Sequence, residues 1–345
     1  MKRKTIALLA GLLAAFTIAP RARAGEDGDE YSWVRGANYV PSFARNDVQI
    51  WMDYDSKVVD RELGLAERLK INSVRIFLQY AVYRHDARAF LRHYENFLAL
   101  CAKHDIQAMV VLFDSCFGAF PDLEKYKEKD WMANPGQNRL GPEHWPALDK
   151  YVADVVGGHK EDKRILLWDV MNEPMCTSHA RTAEGRETIW KFLHHMCEAV
   201  RNQEPTHPLT VGYMSSTLVA HTIDKVDVIG WHNYTGDMEA LRADIRRVKE
   251  LGRKHGKPVL ISEIARRNTG QHFSKFLPLL REEKVGWYFW ELMLGRTQFS
   301  RGRHPIQGVV TTHGECYDPE EIAAILNTTA EEAANLFPRR ETPVE

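Results

Sequence analysis

Cysteine is scarce in this 345-residue chain. Five residues are too few, in a protein this long, to be the disulfide framework on which small secreted domains depend in place of a core. No Cys/His cluster has the spacing of a zinc site. Excess charge of one sign is missing as well: Lys plus Arg number 46 against 47 Asp plus Glu, which excludes a general electrostatic attraction for nucleic acid. Long apolar runs are confined to the first residues, so this is not a polytopic membrane protein. With 44% hydrophobic residues the chain is not disordered either. No Gly-rich phosphate turn follows the first predicted strand, which argues against a doubly wound dinucleotide fold. Internal repeats, low-complexity tracts and signs of a second domain are also missing.

The one apolar run reads as an address. Met1 to Lys4 is basic, Thr5 to Pro20 is rich in Leu and Ala, and Ala22-Arg23-Ala24 has the small-x-small pattern of a cleavage site. Residues 1–24 are therefore expected to be a signal peptide, and residues 25–345 a single domain, secreted or periplasmic; an uncleaved N-terminal anchor is the alternative. Cleavage removes Lys2, Arg3, Lys4, Arg21 and Arg23 with no acids, so the remainder is mildly acidic. No other membrane association is expected.

From Trp33 onward, short β-rich apolar runs alternate with amphipathic segments. Eight strands are predicted: Val34 to Tyr39, Ser73 to Leu78, Ala108 to Phe113, Ile165 to Met171, Leu209 to Gly212, Val226 to Trp231, Val259 to Ser262 and Val285 to Trp290. Several are continuously apolar, as strands buried on both faces must be. Between them lie helical stripes, such as Phe90, Tyr94, Phe97 and Cys101, or Ile189, Leu193, Met196 and Val200. Gly256 and Pro258 stop one such helix before the seventh strand. Eight βα units fit an α/β fold closed as a (β/α)8 TIM barrel. The longest insertion, Asp114 to Glu143, is expected to form a wall or lid over the site, and the tail beyond Asn327 a final helix with a frayed end.

In such barrels chemistry sits where strands end. Glu173 follows the fourth strand, in Leu166-Leu167-Trp168-Asp169-Val170-Met171-Asn172-Glu173-Pro174, and Glu263 ends the seventh, in Val259-Leu260-Ile261-Ser262-Glu263. Two carboxylates across a barrel mouth suit glycosidic bond cleavage, in which an anion faces the anomeric carbon and an acid the leaving oxygen. Arg75, on the second strand, could hold Glu263 ionised, while Glu173 in a more apolar setting keeps its proton. That assigns Glu263 as nucleophile and Glu173 as acid/base. For either residue alone, a salt-bridged or solvated carboxylate is the competing reading.

Leu166 to Pro174 resembles, position by position, the strand-four signature of glycoside hydrolase family 5, in clan A. Arg75, the His232-Asn233-Tyr234 run, Glu263 and Trp290 occur in that family's order. The resemblance implies a retaining hydrolase of β-linked polysaccharide or oligosaccharide, of mannan, glucan or xylan type, with no cofactor and no metal. It implies that Asn172 bonds the sugar 2-hydroxyl, Tyr234 and Arg75 position the nucleophile, His232 lies near the acid/base, and Trp290 floors the sugar site. The sharp motifs cover about a tenth of the chain. One departure stands out: where the family usually ends strand three with a sugar-contacting His, this chain has Leu112-Phe113-Asp114-Ser115. Asp114 either takes over a sugar hydroxyl or turns the loop.

Other candidates rest on position alone. Glu291, after Trp290, is a third acid near the mouth, available to a hydroxyl or to an Arg. Asn38 and Tyr39 end the first strand and could line the floor, a backbone-satisfied buried Tyr being the alternative. Trp51, Trp131 and Trp145 fall in segments expected to be loops, where an aromatic face can stack on a pyranose; burial against a helix is the alternative. Cys116 and Cys176 should both lie just beyond strand ends, where they could meet and bridge; Cys101 and Cys197 sit at core-facing helical spacing. Asn233 and Asn327 match the N-glycosylation pattern; the first lies inside the proposed site, where a glycan would block it, and is read as accidental. The expected partner is a carbohydrate substrate, and the chain is expected to act as a monomer. Two rival readings are a carbohydrate-binding barrel without turnover and a transglycosylase using the same covalent intermediate.

Overall fold

The computed structural model describes residues 29–341 and 343. The predicted signal peptide, residues 1–24, lies outside them. Among the described residues no helix is long and apolar enough to cross a membrane.

Eight parallel strands form one sheet: β1 (Arg35–Asn38), β2 (Ser73–Phe77), β3 (Gln107–Asp114), β4 (Ile165–Asn172), β5 (Leu209–Gly212), β6 (Ile229–His232), β7 (Val259–Ile264) and β8 (Gly286–Phe289). Their order, β5-β4-β3-β2-β1-β8-β7-β6, brings the two ends together. The seam between β5 and β6 is a parallel bridge of Tyr213 with Trp231, and the His232 N–H donates to the Tyr213 carbonyl at 2.7 Å. The sheet is therefore a nearly closed (β/α)8 TIM barrel. Val74, Val110, Val170 and Ile261 are among the apolar strand residues sealed from solvent, as parallel strands covered on both faces require.

The helices pack their predicted stripes inward. Phe90, Tyr94, Phe97 and Cys101 of the helix Ala87–Lys103 are all buried, as are Ile189, Leu193, Met196 and Val200 of Ala183–Arg201. Local signals fix where these helices begin and end. Asp237 accepts from the N–H groups of Glu239 and Ala240 to start Met238–His255, and Gly256, with a φ of 63°, closes it in the left-handed region that glycine enters at little cost. The tail forms the expected helix, Ala330–Leu336, but the stretch after it is not frayed: Arg339 bridges Cys316, and the Arg340 N–H donates to the Cys316 carbonyl at 2.7 Å.

The long β3 insertion does not float free. Asn134 pairs with Asp114, and its side-chain amide donates to the carbonyls of Leu78 (2.9 Å) and Leu112 (2.7 Å), fastening the loop to the tops of β2 and β3. A second excursion follows β8, held by bridges of Val310 to Met293 and to Cys316. These two excursions supply walls above the strand ends.

Candidate active site

Where the strands give way to loops there is a cavity of about 300 Å3. Glu173 and Glu263 line it, with Asn172, Tyr234, Trp131 and Trp290. Glu173 takes a φ of 42° at the end of β4, a conformation that costs a non-glycine residue about 1–3 kcal/mol. Its N–H donates to the Gly212 carbonyl at 2.7 Å, which holds the strained residue against β5. One carboxylate oxygen of Glu173, one of Glu263 and one nitrogen of His232 all lie within 4.8 Å of one another.

Arg75 organises the floor. It is fully buried, donates to Glu263 at 2.6 Å, to the Asn172 amide oxygen at 2.6 Å and to the Asn38 amide oxygen at 2.9 Å, and makes two bonds to Asp169, at 2.8 and 3.0 Å. Burial works against its charge, but Asp169 and Glu263 more than offset that, so its pKa lies above the usual value. Asn38 in turn donates to the carbonyls of Ser262 and Phe289, so it aligns Arg75 and does not reach the cavity wall. A side chain is missing where these groups crowd closest: a Cβ on Gly212 would stand 2.7 Å from Arg75 Nη2, 2.9 Å from Asp169 Oδ2 and 3.0 Å from His232 Nε2.

Glu263 accepts from the Tyr234 hydroxyl at 2.7 Å as well as from Arg75. Burial is the largest influence on its carboxyl and raises it; the charge of Glu173 adds to this, and His232 and Arg75 only partly offset it. Glu173 is not in the apolar setting predicted for it. His232 Nδ1 lies 2.8 Å from its Oε1, and the Cys116 thiol donates to its Oε2 at 3.0 Å. Burial raises the Glu173 carboxyl, but donation from His232 and from the thiols of Cys116 and Cys176 outweighs it and holds the group at about 2. The expectation of an apolar site that keeps Glu173 protonated is thus corrected. Its donors come from β6 and from the segments that follow β3 and β4, which no single stretch of sequence displays.

Five other candidates do not line the cavity, which corrects the substrate-contact reading of each. Glu291 is sealed beneath the mouth, where it accepts from Thr297 and from Ser300 (2.6 Å) and meets neither an Arg nor the cavity. Its Oε2 has no partner among the described residues, and burial pushes the carboxyl up to about 7. Asp114 turns the loop, accepting from the Cys116 N–H at 2.6 Å, and also braces Trp131 Nε1 (2.7 Å) and Asn172 Nδ2 (3.1 Å). It is 2% exposed and does not line the cavity; burial lifts it to about 8. Tyr39 bonds Glu62 at 2.8 Å, away from the site. Trp51 is buried in the helix Asp47–Met52, and Trp145 begins the helix Trp145–Val155, stacked on His195; neither lies in a loop or on the cavity wall.

Trp131 and Trp290 meet edge to face, centroids 5.6 Å apart, as adjoining walls. Sequence reasoning missed the rim, where Phe117, Met214, Phe299 and Gln307 come from loops, and Arg266, which follows β7. It also missed Asp169. A charged residue inside the apolar run of β4 needs a buried cation, and that was the available signal for its pairing with Arg75.

Residues 43–294 match the family described as Cellulase (glycosyl hydrolase family 5). The chain belongs to glycoside hydrolase family 5. Solved structures with the same fold include the exo-β-1,4-mannosidase Op5Man5 from Opitutaceae bacterium strain TAV5, at 16% identity and a TM-score of 0.63, over 87% of this chain and 60% of that one. This family 5 chain thus spans less than two thirds of that mannosidase. The endo-1,4-β-mannanase from Rhizomucor miehei gives 13% identity and a TM-score of 0.61, over 85% of this chain and 94% of that one. A subfamily 18 member from Streptomyces cattleya, in complex with Manβ1-4GlcNAc, gives 16% identity and a TM-score of 0.61, over 90% and 82%. No curated protein matches this chain in sequence. Membership of family 5 makes the protein a glycoside hydrolase, and Glu173 and Glu263 converge on its cavity.

Proposed function

We propose that the protein cleaves β-linked glycans with retention of configuration, Glu263 acting as nucleophile and Glu173 as acid/base. The observation that carries this reading is the approach of the two carboxylates to within 4.8 Å. Double displacement wants the two groups about 5–5.5 Å apart, whereas inversion needs about 6.5–9.5 Å to admit a water. In the first step Glu263 attacks the anomeric carbon as Glu173 protonates the departing oxygen; in the second, Glu173 takes a proton from water, which releases the sugar.

The proton needed for the first step has a definite place. His232 Nε2 is buried and has no partner among the described residues, so a proton there would be stranded; the imidazole proton belongs on Nδ1, donated to Glu173 Oε1. With Oε1 committed to His232, Oε2, the oxygen beside Cys116, is the one on which Glu173 must take up the acid proton, against the low pKa that its donors impose. Arg75 and Tyr234 keep both oxygens of Glu263 engaged and fix its orientation for attack.

A β-1,4-mannoside is the substrate we favour. The likeness to the mannosidase, the mannanase and the Manβ1-4GlcNAc complex supports it, and an endoglucanase from Clostridium acetobutylicum with the same fold keeps β-glucan as the comparison substrate. The basic-then-apolar pattern of residues 1–24 supports action outside the cytoplasm.

Incubation with a 2-fluoro-β-mannosyl fluoride, followed by peptide mapping, should place a stable label on Glu263. A label on Glu291, or an anomeric proton spectrum in which the first product is inverted, overturns the mechanism. Binding of mannan and glucan with no product from either would leave a carbohydrate-binding barrel.

A further inference from the structure

The thiols beside the acid/base are more than lining. We propose that Cys116, Cys176 and Glu173 form a binding site for a thiophilic divalent cation such as Zn2+ or Cd2+, opening on the substrate cavity. The two Sγ atoms are 3.4 Å apart, Cys116 Sγ is 3.0 Å from Glu173 Oε2, and one ligand atom from each of the three residues lies within 4.8 Å of the others. A tetrahedral zinc with sulfur at about 2.3 Å and oxygen at about 2.0–2.2 Å separates its ligand atoms by about 3.5–3.8 Å. The observed spacings are a few tenths of an ångström short of that, within reach of side-chain rotation.

The chain also pre-orients this trio. The Cys176 N–H donates to the Glu173 carbonyl at 2.9 Å, so two of the three ligands share one turn, and the Cys116 N–H is fixed by Asp114. Glu173 Oε1 is tethered by His232, the kind of outer support that orients a ligating carboxylate and leaves its other oxygen free to bind. All three residues line the cavity, which offers the fourth position to water. The remaining thiols are poor competitors. Cys101 and Cys197 are packed in the core, and Cys316 donates to the Phe337 carbonyl.

Binding forms two metal–sulfur bonds and one metal–oxygen bond and releases the two thiol protons to solvent; nothing is oxidised or reduced. The cation then occupies Oε2, the oxygen that carries the acid proton, and hydrolysis stops. Only this inhibition rests on the hydrolase reading; the cation site stands without it.

The test is a titration of the full reduced chain with Cd2+, read by thiolate-to-metal charge-transfer absorbance in the near ultraviolet. A band that saturates at one equivalent and vanishes with EDTA is expected. Cys116→Ser and Cys176→Ser should each abolish it, Glu173→Gln should weaken binding at least about tenfold, and Cys316→Ser should keep it, with circular dichroism verifying that each variant is folded. Absence of the band, saturation only beyond one equivalent, or its survival in folded Cys176→Ser overturns the site. If the band behaves as expected and the Cd2+-loaded enzyme still turns over substrate, the role given to Glu173 Oε2 fails while the cation site remains.

Discussion

His232 Nδ1 lies 2.8 Å from Glu173 and 3.3 Å from Glu263, so one imidazole serves both carboxylates. Its donation to Glu173 and its closeness to Glu263 favour their charged forms, and removing it leaves burial opposed only by the Cys116 and Cys176 thiols at Glu173 and by Arg75 and Tyr234 at Glu263. Both groups then take up protons at higher pH. The expected outcome for His232→Ala is a bell-shaped profile of kcat/KM displaced upward on both limbs, the basic limb by about one to two pH units, since a hydrogen bond to a charged group is worth about 1.5–3 kcal/mol. A profile that falls in height without moving would show that His232 only shapes the pocket.

Glu291 gives a pH dependence of stability rather than of activity. Its folded value of about 7 is raised above the unfolded 4.5, chiefly by burial. Below both values the carboxyl is protonated in either state and costs nothing. As pH climbs from 4.5 to 7 the unfolded chain sheds its proton first, so stability falls across that window and then levels off, by about 3 kcal/mol in all. Asp114, lifted to about 8, adds to the same downward slope. Measured Tm should therefore drop between pH 5 and 7, and Glu291→Gln should flatten that drop. An equal slope in the variant would place the titration elsewhere.

Arg75 is bound by four partners from three strands, so a conservative change there should not act conservatively. Lys cannot reproduce the paired bonds to Asp169 together with those to Glu263, Asn172 and Asn38. Arg75→Met leaves buried Asp169 without its cation and is expected to cost about 3–5 kcal/mol in urea unfolding. Arg75→Lys should retain more stability yet lose about a hundredfold or more in kcat, because the charge survives and the orientation of Glu263 does not. Equal losses in both variants would mean that charge alone matters.

The barrel is legible in the sequence because parallel strands covered on both faces must be continuously apolar, and all eight predicted runs overlap observed strands. The poorest match is β6. Val226 to Val228 are apolar enough to read as strand, but there the N–H groups of Asp227 and Val228 both turn to the Leu209 carbonyl before the ladder begins at Ile229. Glu173 and Glu263 are legible for a related reason, each marking the point where an apolar run meets a loop. Their surroundings are legible only in part: Arg75 and Tyr234 reach Glu263 and His232 reaches Glu173 as expected, but the resulting electrostatics are not readable. Glu291 has the same local signature, yet Thr297 and Ser300, from the excursion after β8, satisfy it below the mouth. His232 and Cys116 reach Glu173 across separations of 59 and 57 residues, so its electrostatics emerge only once the barrel has closed.

Gly212 offers the sharpest separation of fold from function. It ends β5 with no side chain, and an added methyl would meet Arg75, Asp169 and His232 at 2.7 to 3.0 Å. Each of those neighbours is held by further hydrogen bonds, so none can withdraw freely. Overpacking of this kind costs about 1–3 kcal/mol, which a barrel of this size survives. The displaced groups, however, are the ones that orient Glu263 and Glu173, and a misplacement of about 1 Å near reacting atoms can cost about a hundredfold in rate. Gly212→Ala is thus expected to fold, to lower Tm modestly and to lose far more in kcat than in KM. Near-normal turnover in a folded Gly212→Ala protein would show that the Arg75, Asp169 and His232 cluster tolerates displacement and does not set the geometry of the two carboxylates.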